Sequence, residues 1–439
     1  MKPFFSIIIP VYNSKKYFKE CLKSVIDQDF NNYEVIIIND ASNDGSRKIF
    51  NDFRKISTKI KIIENKKNLG VSISRNKGIV QSVGKYIIFL DSDDILQPNI
   101  LKRLYLHTSS TMTNIVVLEH NELKNNHKNS IIRESEKKGF FTKQAFSKKK
   151  VHLISLVKNF KLFNPLCYNF LINRKFLLKK KIFFEDIRIH EDHLFISRLF
   201  YCREKVTYPG IVTHSRRSTG LESLGRSVGY DVCVSCIKNL YFYLKDRKKI
   251  NFTRNEKKNF LENINIFTKK FFLNLLICSN KDMINLSNFT YKNYPSLSIN
   301  MSKQTIDTKL LKIKKSNQKN WLAITKNILS NIENELSINN REKVNIFCSS
   351  AYSKICIRLL KKNNKLKINA VFDNNKDFQN QKIENIRIKS INKYQSVNMK
   401  FLVCNLNNKD FKNIQNQLIK LKIPKYRIIK FDILKGYTI

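Results

Sequence analysis

No apolar run in this 439-residue chain approaches the roughly 18 residues that would span a bilayer, because Lys or Asn interrupts each of the longest candidates. An integral membrane protein is therefore not expected. The chain opens with no leader-type segment, and its nine cysteines are odd in number and widely scattered, which fits a reducing cytoplasm better than a disulfide framework. Cys233 and Cys236 form a single Cys-x-x-Cys, but no second pair or spaced histidine pair follows to complete a zinc site. Acidic residues are also scarce, 35 against 82 Lys and Arg, for a formal net charge of +47.

That charge invites a nucleic-acid reading, yet Lys, Asn and Ile are abundant together, as an A+T-rich coding sequence would produce without selection for binding. No nucleic-acid partner is expected. The first hundred residues carry a net charge of only +5, so the excess lies beyond them. A basic surface there suits peripheral contact with anionic lipid headgroups, each nearby Lys or Arg contributing on the order of 1 kcal/mol. The length supports two or three domains with a core in each.

The first domain alternates strand and helix. Phe4 to Val11 is a short β-branched run, and Ser14 then precedes an amphipathic stretch with Phe18, Cys21, Leu22 and Val25 on one face. Strand signals recur at Tyr33 to Ile38, Ile60 to Glu64 and Tyr86 to Leu90, with helical segments between them. This rhythm predicts a mainly parallel sheet covered by helices on both faces. In such sheets ligands sit at the carboxyl ends of the strands, which here carry Tyr12 and Asn13, then Asp40, then Asp91 and Asp93. The last strand runs directly into Asp91-Ser92-Asp93-Asp94. Carboxylates crowded at a strand end repel one another, and a divalent cation with its own anionic ligand relieves that repulsion. A polar turn or helix cap is the plainer alternative.

Four ordered motifs bear on that choice: Phe-Ser-Ile-Ile-Ile-Pro-Val-Tyr-Asn, Ile-Ile-Asn-Asp-Ala-Ser-Asn-Asp-Gly-Ser, Asn-Leu-Gly-Val-Ser-Ile-Ser-Arg-Asn-Lys-Gly and Phe-Leu-Asp-Ser-Asp-Asp. Through them residues 4 to 98 resemble the family 2 glycosyltransferases, inverting enzymes of the GT-A fold. The resemblance implies a nucleotide-sugar donor, with Pro10 and Tyr12 lining the base pocket, Asn13 beside them, and Asp40 accepting a hydrogen bond from the base. A carboxylate accepts from the imide N–H of uracil and has no equivalent partner on adenine, so uridine is favoured. Asp93 takes the place of the metal ligand, for Mn²⁺ or Mg²⁺, and Asp91 that of a ribose or sugar contact. Arg75 matches the family's arginine, where its fork of donors meets a phosphate or a carboxylate; a structural Arg75–Asp pair remains open. Gly70 and Gly78 read as a turn and a close helix–sheet contact.

An inverting transfer needs a carboxylate that takes the acceptor hydroxyl's proton. Phe183-Phe184-Glu185-Asp186 through Glu191-Asp192 resembles the family's Glu-Asp motif, which makes Asp192 the base; the alternative is that both acids merely favour a helix N-terminus. His214 and Arg217 fall where family members meet the diphosphate or complete the metal shell, and a solvated basic loop is equally open. Gly220, Gly225 and Gly229 suggest a loop that orders over the donor.

Residues 239–340 read as a basic helical connector, and 341–439 as a small Rossmann-like accessory domain whose first turn carries Ser349 and Ser350 in place of glycine. The expected architecture is thus α/β: a GT-A domain over 1–238, the connector, and the small α/β domain. The expected function is transfer of a hexosyl or N-acetylhexosaminyl group from a UDP-linked donor onto a glycan or lipid-linked glycan of a bacterial surface polysaccharide such as capsule or lipooligosaccharide. A non-catalytic nucleotide- or sugar-binding assembly factor is the alternative.

Overall fold

The computed structural model describes residues 2–123, 132–133, 151–152, 166–217, 227–247, 250, 267, 270–271, 274, 277–294, 343–347, 351–363, 367–374, 379–391, 399–404 and 408–430. The chain gathers into two compact units, Met1–Thr219 with Lys245–Glu262 and Gly220–Leu244 with Asn263–Ile439.

The first unit contains the predicted alternation: β1 (Phe5–Val11), α1 (Lys15–Ile26), β2 (Tyr33–Asn39), α2 (Ser46–Ile56), β3 (Ile60–Glu64), α3 (Val71–Gln81) and β4 (Tyr86–Phe89). These strands are apolar on both sides because helices cover both faces of the sheet. Ile8, Ile36, Ile38 and Ile87 face one core, with Ile79 of α3; Ile7, Ile9, Val35 and Ile37 face the other, with Phe18, Leu22 and Val25 of α1. Beyond β4 come β5 (Ile95–Leu96), α4 (Ile100–Thr111), β6 (Ile115–Val117), β7 (Glu119–Leu123), β8 (Ile132–Arg133), β9 (Val151–His152), β10 (Phe170–Asn173), α5 (Arg174–Lys180), α6 (Glu191–Tyr201), β11 (Lys205–Val206) and β12 (Val212–Arg217).

The main sheet has the order β3-β2-β1-β4-β10-β6. β1 to β4 are mutually parallel, and β10 is antiparallel to both of its neighbours. A second sheet, β5-β12-β7-β8, stands at the carboxyl edge. In it β12 runs antiparallel to β5, pairing Ser215 with Ile95 just past the carboxylate loop.

Two glycines explain the close packing of α3. A Cβ on Gly78 would collide with the Ile8 side chain beneath it, so only glycine lets the helix lie this near the sheet. Gly70 opens the helix at φ +89, in the region that favours glycine.

Most of α7 (Tyr230–Arg247), which straddles the expected boundary at residue 238, and all of α8 (Asn280–Asn293), inside the expected connector, belong to the second unit. Cys233 and Cys236 are buried in α7, and the Cys233 thiol donates to the Phe271 carbonyl at 3.6 Å. The C-terminal part is built from β13 (Lys343–Phe347), α9 (Ala351–Asn363), β14 (Lys367–Phe372), β15 (Lys382–Ile383), β16 (Ile386–Lys389), β17 (Lys400–Val403), α10 (Asn408–Lys420) and β18 (Ile428–Lys430). Its order, β15-β16-β14-β13-β17-β18, is parallel except for the β15–β16 hairpin, as a Rossmann-like half requires. The Ser349–Ser350 turn, Gly220 and Gly225 lie outside the described residues.

Candidate active site

β1, β2 and β4 are parallel and in register, so the residues that follow them meet at one edge. Tyr12 is half exposed there, which leaves its ring face open for stacking. Asn13 takes a left-handed φ of +49 and braces the neighbouring turn: its backbone N–H donates to Ser42 Oγ, and its Oδ1 accepts from the Asn43 N–H at 2.9 Å. Pro10 lies one residue before the end of β1, half-buried. Beside this turn is a cavity of about 440 Å³ lined by Ala41, Ser42, Arg47, Glu64, Asn65 and Lys66. Its acidic wall, Glu64, accepts from Asn39 Nδ2 at 2.6 Å and from Arg47 Nη2 at 2.9 Å.

Asp40 is buried, and its carboxylate is already well engaged. Oδ1 accepts from Asn65 Nδ2 and the Leu69 N–H, each at 2.8 Å, and Oδ2 from the Gly70 N–H at 2.8 Å. Three of its roughly four lone-pair sites therefore hold the β3–α3 turn, and one on Oδ2 is left for another donor.

The carboxylate loop after β4 is gripped from two sides. Ser14 stands at the head of α1 as predicted, but its hydroxyl pairs with Ser92 Oγ at 2.6 Å instead of capping its own helix. From β12, the Arg217 N–H donates to Asp94 Oδ1 at 2.8 Å and Arg217 Nε to the Asp93 carbonyl at 3.1 Å. The Arg217 guanidinium also reaches Glu20 at 2.6 Å and lies 4.4 Å over the Tyr17 ring. This arginine thus ties α1, the loop and β12 together. Burial and the neighbouring Asp91 push the Asp93 carboxyl up to about 6, and burial with Asp93 and Asp91 pushes Asp94 well above the usual range. The cluster offers only oxygen donors, the type a hard divalent cation takes, but among the described residues no group of three or more His, Cys, Asp or Glu is arranged to hold one.

Arg75, only 3% exposed on α3, joins this half to the other. Nη2 meets Asp91 at 2.8 Å, while Nη1 meets Glu191 at 2.6 Å and Asp192 at 3.1 Å. The sequence left phosphate, carboxylate or a structural pair open for Arg75; the structure gives it three carboxylates at once. Glu191 and Asp192 open α6, where the helix dipole also favours negative charge. Burial, aided by Asp192, lifts Glu191 to about 7 against the pull of Arg75. Burial also raises Asp192, which Arg75 and two hydrogen bonds from Cys167, thiol and backbone N–H, hold down. Neither Glu191 as an Arg75 partner nor Cys167 as an Asp192 donor was legible in the sequence; Cys167 sits in no motif that would single it out.

His214 is buried in β12, paired with Leu96 of β5. Its Nδ1 lies 3.0 Å from Thr213 Oγ1, and its ring stacks on His120 of β7, its directly paired neighbour, at 5.5 Å. Tyr168 packs edge-on against the His214 ring, 4.5 Å away. Burial, His120 and Arg216 depress the His214 pKa well below its ordinary value, so the ring is neutral here. Pro10, Tyr12, Asn13, Asp40, Arg75, Asp91, Asp93, Asp192 and Arg217 thus gather around one edge, and His214 is buried within the second sheet.

Residues 6–178 match the model of the glycosyl transferase family 2. Among curated proteins, the chain is 38% identical over 100 residues to the glycosyltransferase GlyA of Streptococcus pneumoniae, covering 23% of this chain and 14% of that protein. It is 32% identical over 204 residues to the minor teichoic acid biosynthesis protein GgaA of Bacillus subtilis, covering 44% and 43%. The chain thus spans less than half the length of either relative. Among solved structures, residues 1–349 of S. aureus TarS in complex with UDP-GlcNAc align at a TM-score of 0.47 and 18% identity, over 76% of this chain and 81% of that one.

Proposed function

We propose, for a chain whose residues 6–178 form a glycosyl transferase family 2 domain, that it moves a sugar from a uridine diphosphate donor to a glycan hydroxyl with inversion at the anomeric carbon. The observation that carries this reading is the Arg75 bridge. One buried guanidinium joins Asp91, on the donor side, to Glu191 and Asp192, on the side from which an acceptor would attack.

The nucleoside rests at the ends of β1 to β3, with the base against Tyr12 and Pro10 and the free lone pair of Asp40 facing its imide N–H. Asp91 orients the ribose or donor sugar, its Oδ1 fixed by Arg75. Asp192 accepts the proton of the acceptor hydroxyl as that oxygen attacks in line. Burial raises the Asp192 carboxyl, which favours it as a proton acceptor, while Arg75 and Cys167 oppose that rise. Asp93 would hold Mn²⁺ or Mg²⁺, which when bound would supply charge neutralisation for the leaving diphosphate. Arg217 fixes the Asp93–Asp94 backbone and side chain, so its part is to shape the loop.

GgaA is named for minor teichoic acid biosynthesis, which supports a surface glycan as the acceptor class. No helix among the described residues is long and apolar enough to cross a membrane. The test is incubation with a panel of nucleotide sugars and Mn²⁺, scored for donor hydrolysis and for transfer to glycan acceptors. UDP-sugar turnover with inverted product is expected. Binding of donor with no turnover under any acceptor would favour an assembly factor, and indifference to every nucleotide would overturn both.

A further inference from the structure

The end of α10 and the turn after it present a surface that packing does not explain. Leu418 and Ile423 are fully buried in the C-terminal core and close the helix end, with the Ile423 N–H donating to the Leu418 carbonyl at 3.1 Å. Between these two anchors the chain is exposed at Ile419 (41%), Lys420, Leu421 (39%) and Lys422. A few residues on, Tyr426 is 73% exposed between Lys425 and Arg427, whose guanidinium lies 5.4 Å from the Tyr426 ring. From Phe411 to Lys430 the sequence holds six Lys or Arg and no acid. A single exposed apolar side chain is ordinary, but three within eight residues, each next to at least one cation in the sequence, form a patch of definite chemistry.

We infer that this patch docks on an anionic lipid bilayer. Ile419, Leu421 and Tyr426 insert at the headgroup boundary, and the lysines stay in the headgroup layer with their stems along the apolar surface. The two components together select the occupant. A nucleic acid would engage the cations and the tyrosine but has no use for Ile419 and Leu421. A second copy of the chain would set lysine against lysine across a two-fold contact, with no acid in the stretch to offset them. A bilayer bearing negative headgroups matches both the charge and the apolar side chains.

The full chain is tested by co-sedimentation with vesicles of phosphatidylglycerol and phosphatidylcholine in equal parts, and with phosphatidylcholine alone. Binding to the anionic vesicles only, weakened by salt, is expected. Ile419→Ser/Leu421→Ser/Tyr426→Ser and Lys420→Glu/Lys422→Glu/Lys425→Glu should each lower the partition coefficient on the order of tenfold or more. Both sets replace exposed residues, so thermal unfolding and retained UDP binding verify that the chain is folded. Wild-type protein that ignores anionic vesicles, or variants that bind as well as wild type, overturn the inference. So does loss of self-association in the variants without loss of vesicle binding, or polyanion binding that depends on the lysines but not on the apolar residues.

Discussion

Replacing Arg75 with Met removes the charge while keeping much of the side-chain volume, and tests the central bridge directly. Three carboxylates within 2.6 to 3.1 Å of one guanidinium would lose their counter-charge in a region where Arg75 is 3% exposed. Removing one partner of a buried ion pair costs about 3–5 kcal/mol, which would lower the melting midpoint of this unit by about 10 °C. The loss should depend on pH in a fixed direction. In the wild type, burial raises Glu191 from 4.5 to about 7, so the folded state holds a proton the unfolded state has released. That contribution is present in full at acid pH and is lost as pH rises through about 7. Arg75 holds both Glu191 and Asp192 down, so without it their folded-state pKa values climb further and the variant should lose stability more steeply with rising pH. Thermal melts of wild type and Arg75→Met at about pH 5.5 and about pH 8 provide the comparison. The variant should be hurt least at the acid end. A deficit of equal size at both pH values would mean that Arg75 acts through packing, and no deficit at all would refute the bridge as a structural element. Arg75→Lys should fall between the two, since an ammonium reaches one carboxylate well but lacks the fork that serves three.

Asp192→Asn should abolish transfer and leave UDP binding by calorimetry within a few-fold; equal loss of both would remove Asp192 from the role of base. Asp93→Ala should eliminate the enhancement of UDP affinity by Mn²⁺ together with turnover, and a variant that keeps metal-dependent binding would displace Asp93 as ligand. Cys167→Ala removes a donor from Asp192, so the acid limb of the kcat/KM profile should move to higher pH, and Cys167→Ser should restore it; an unmoved limb would show that the thiol does not tune the base. Gly78→Ala should destabilise the first unit by about 1–3 kcal/mol, because the added methyl meets Ile8 and lifts α3, and Arg75 with it, from the sheet. Chemical denaturation reads the loss directly.

The parallel core was legible because its strands are continuous β-branched runs: β1 to β4 begin and end within one residue of expectation, and α1 to α3 fill the intervals between them. The Rossmann-like C-terminal sheet was legible for the same reason. The second sheet was not. β5 has two residues and β7 reads Glu-His-Asn-Glu-Leu, so neither carries a period, and both owe their form to pairing with β12. The site shows the same division. Asp40, Asp91, Asp93 and Asp192 lie at the ends of regular elements and in motifs, whereas Cys167 belongs to a three-residue turn whose position depends on β4 and α6. Arg75 was visible as a residue, but its partners are 16 and 116–117 positions away, a distance that local pattern cannot bridge.

The antiparallel strand β10 fixes two ends of chain that are far apart in sequence. It returns between β4 and β6, hydrogen-bonded on both edges, and delivers Cys167 to Asp192 just before it enters the sheet. Sheet cohesion and the surroundings of Asp192 therefore share one strand: a one-residue slip of β10 against β4 would turn its side chains to the opposite face and draw Cys167 off the Asp192 carboxylate in the same movement.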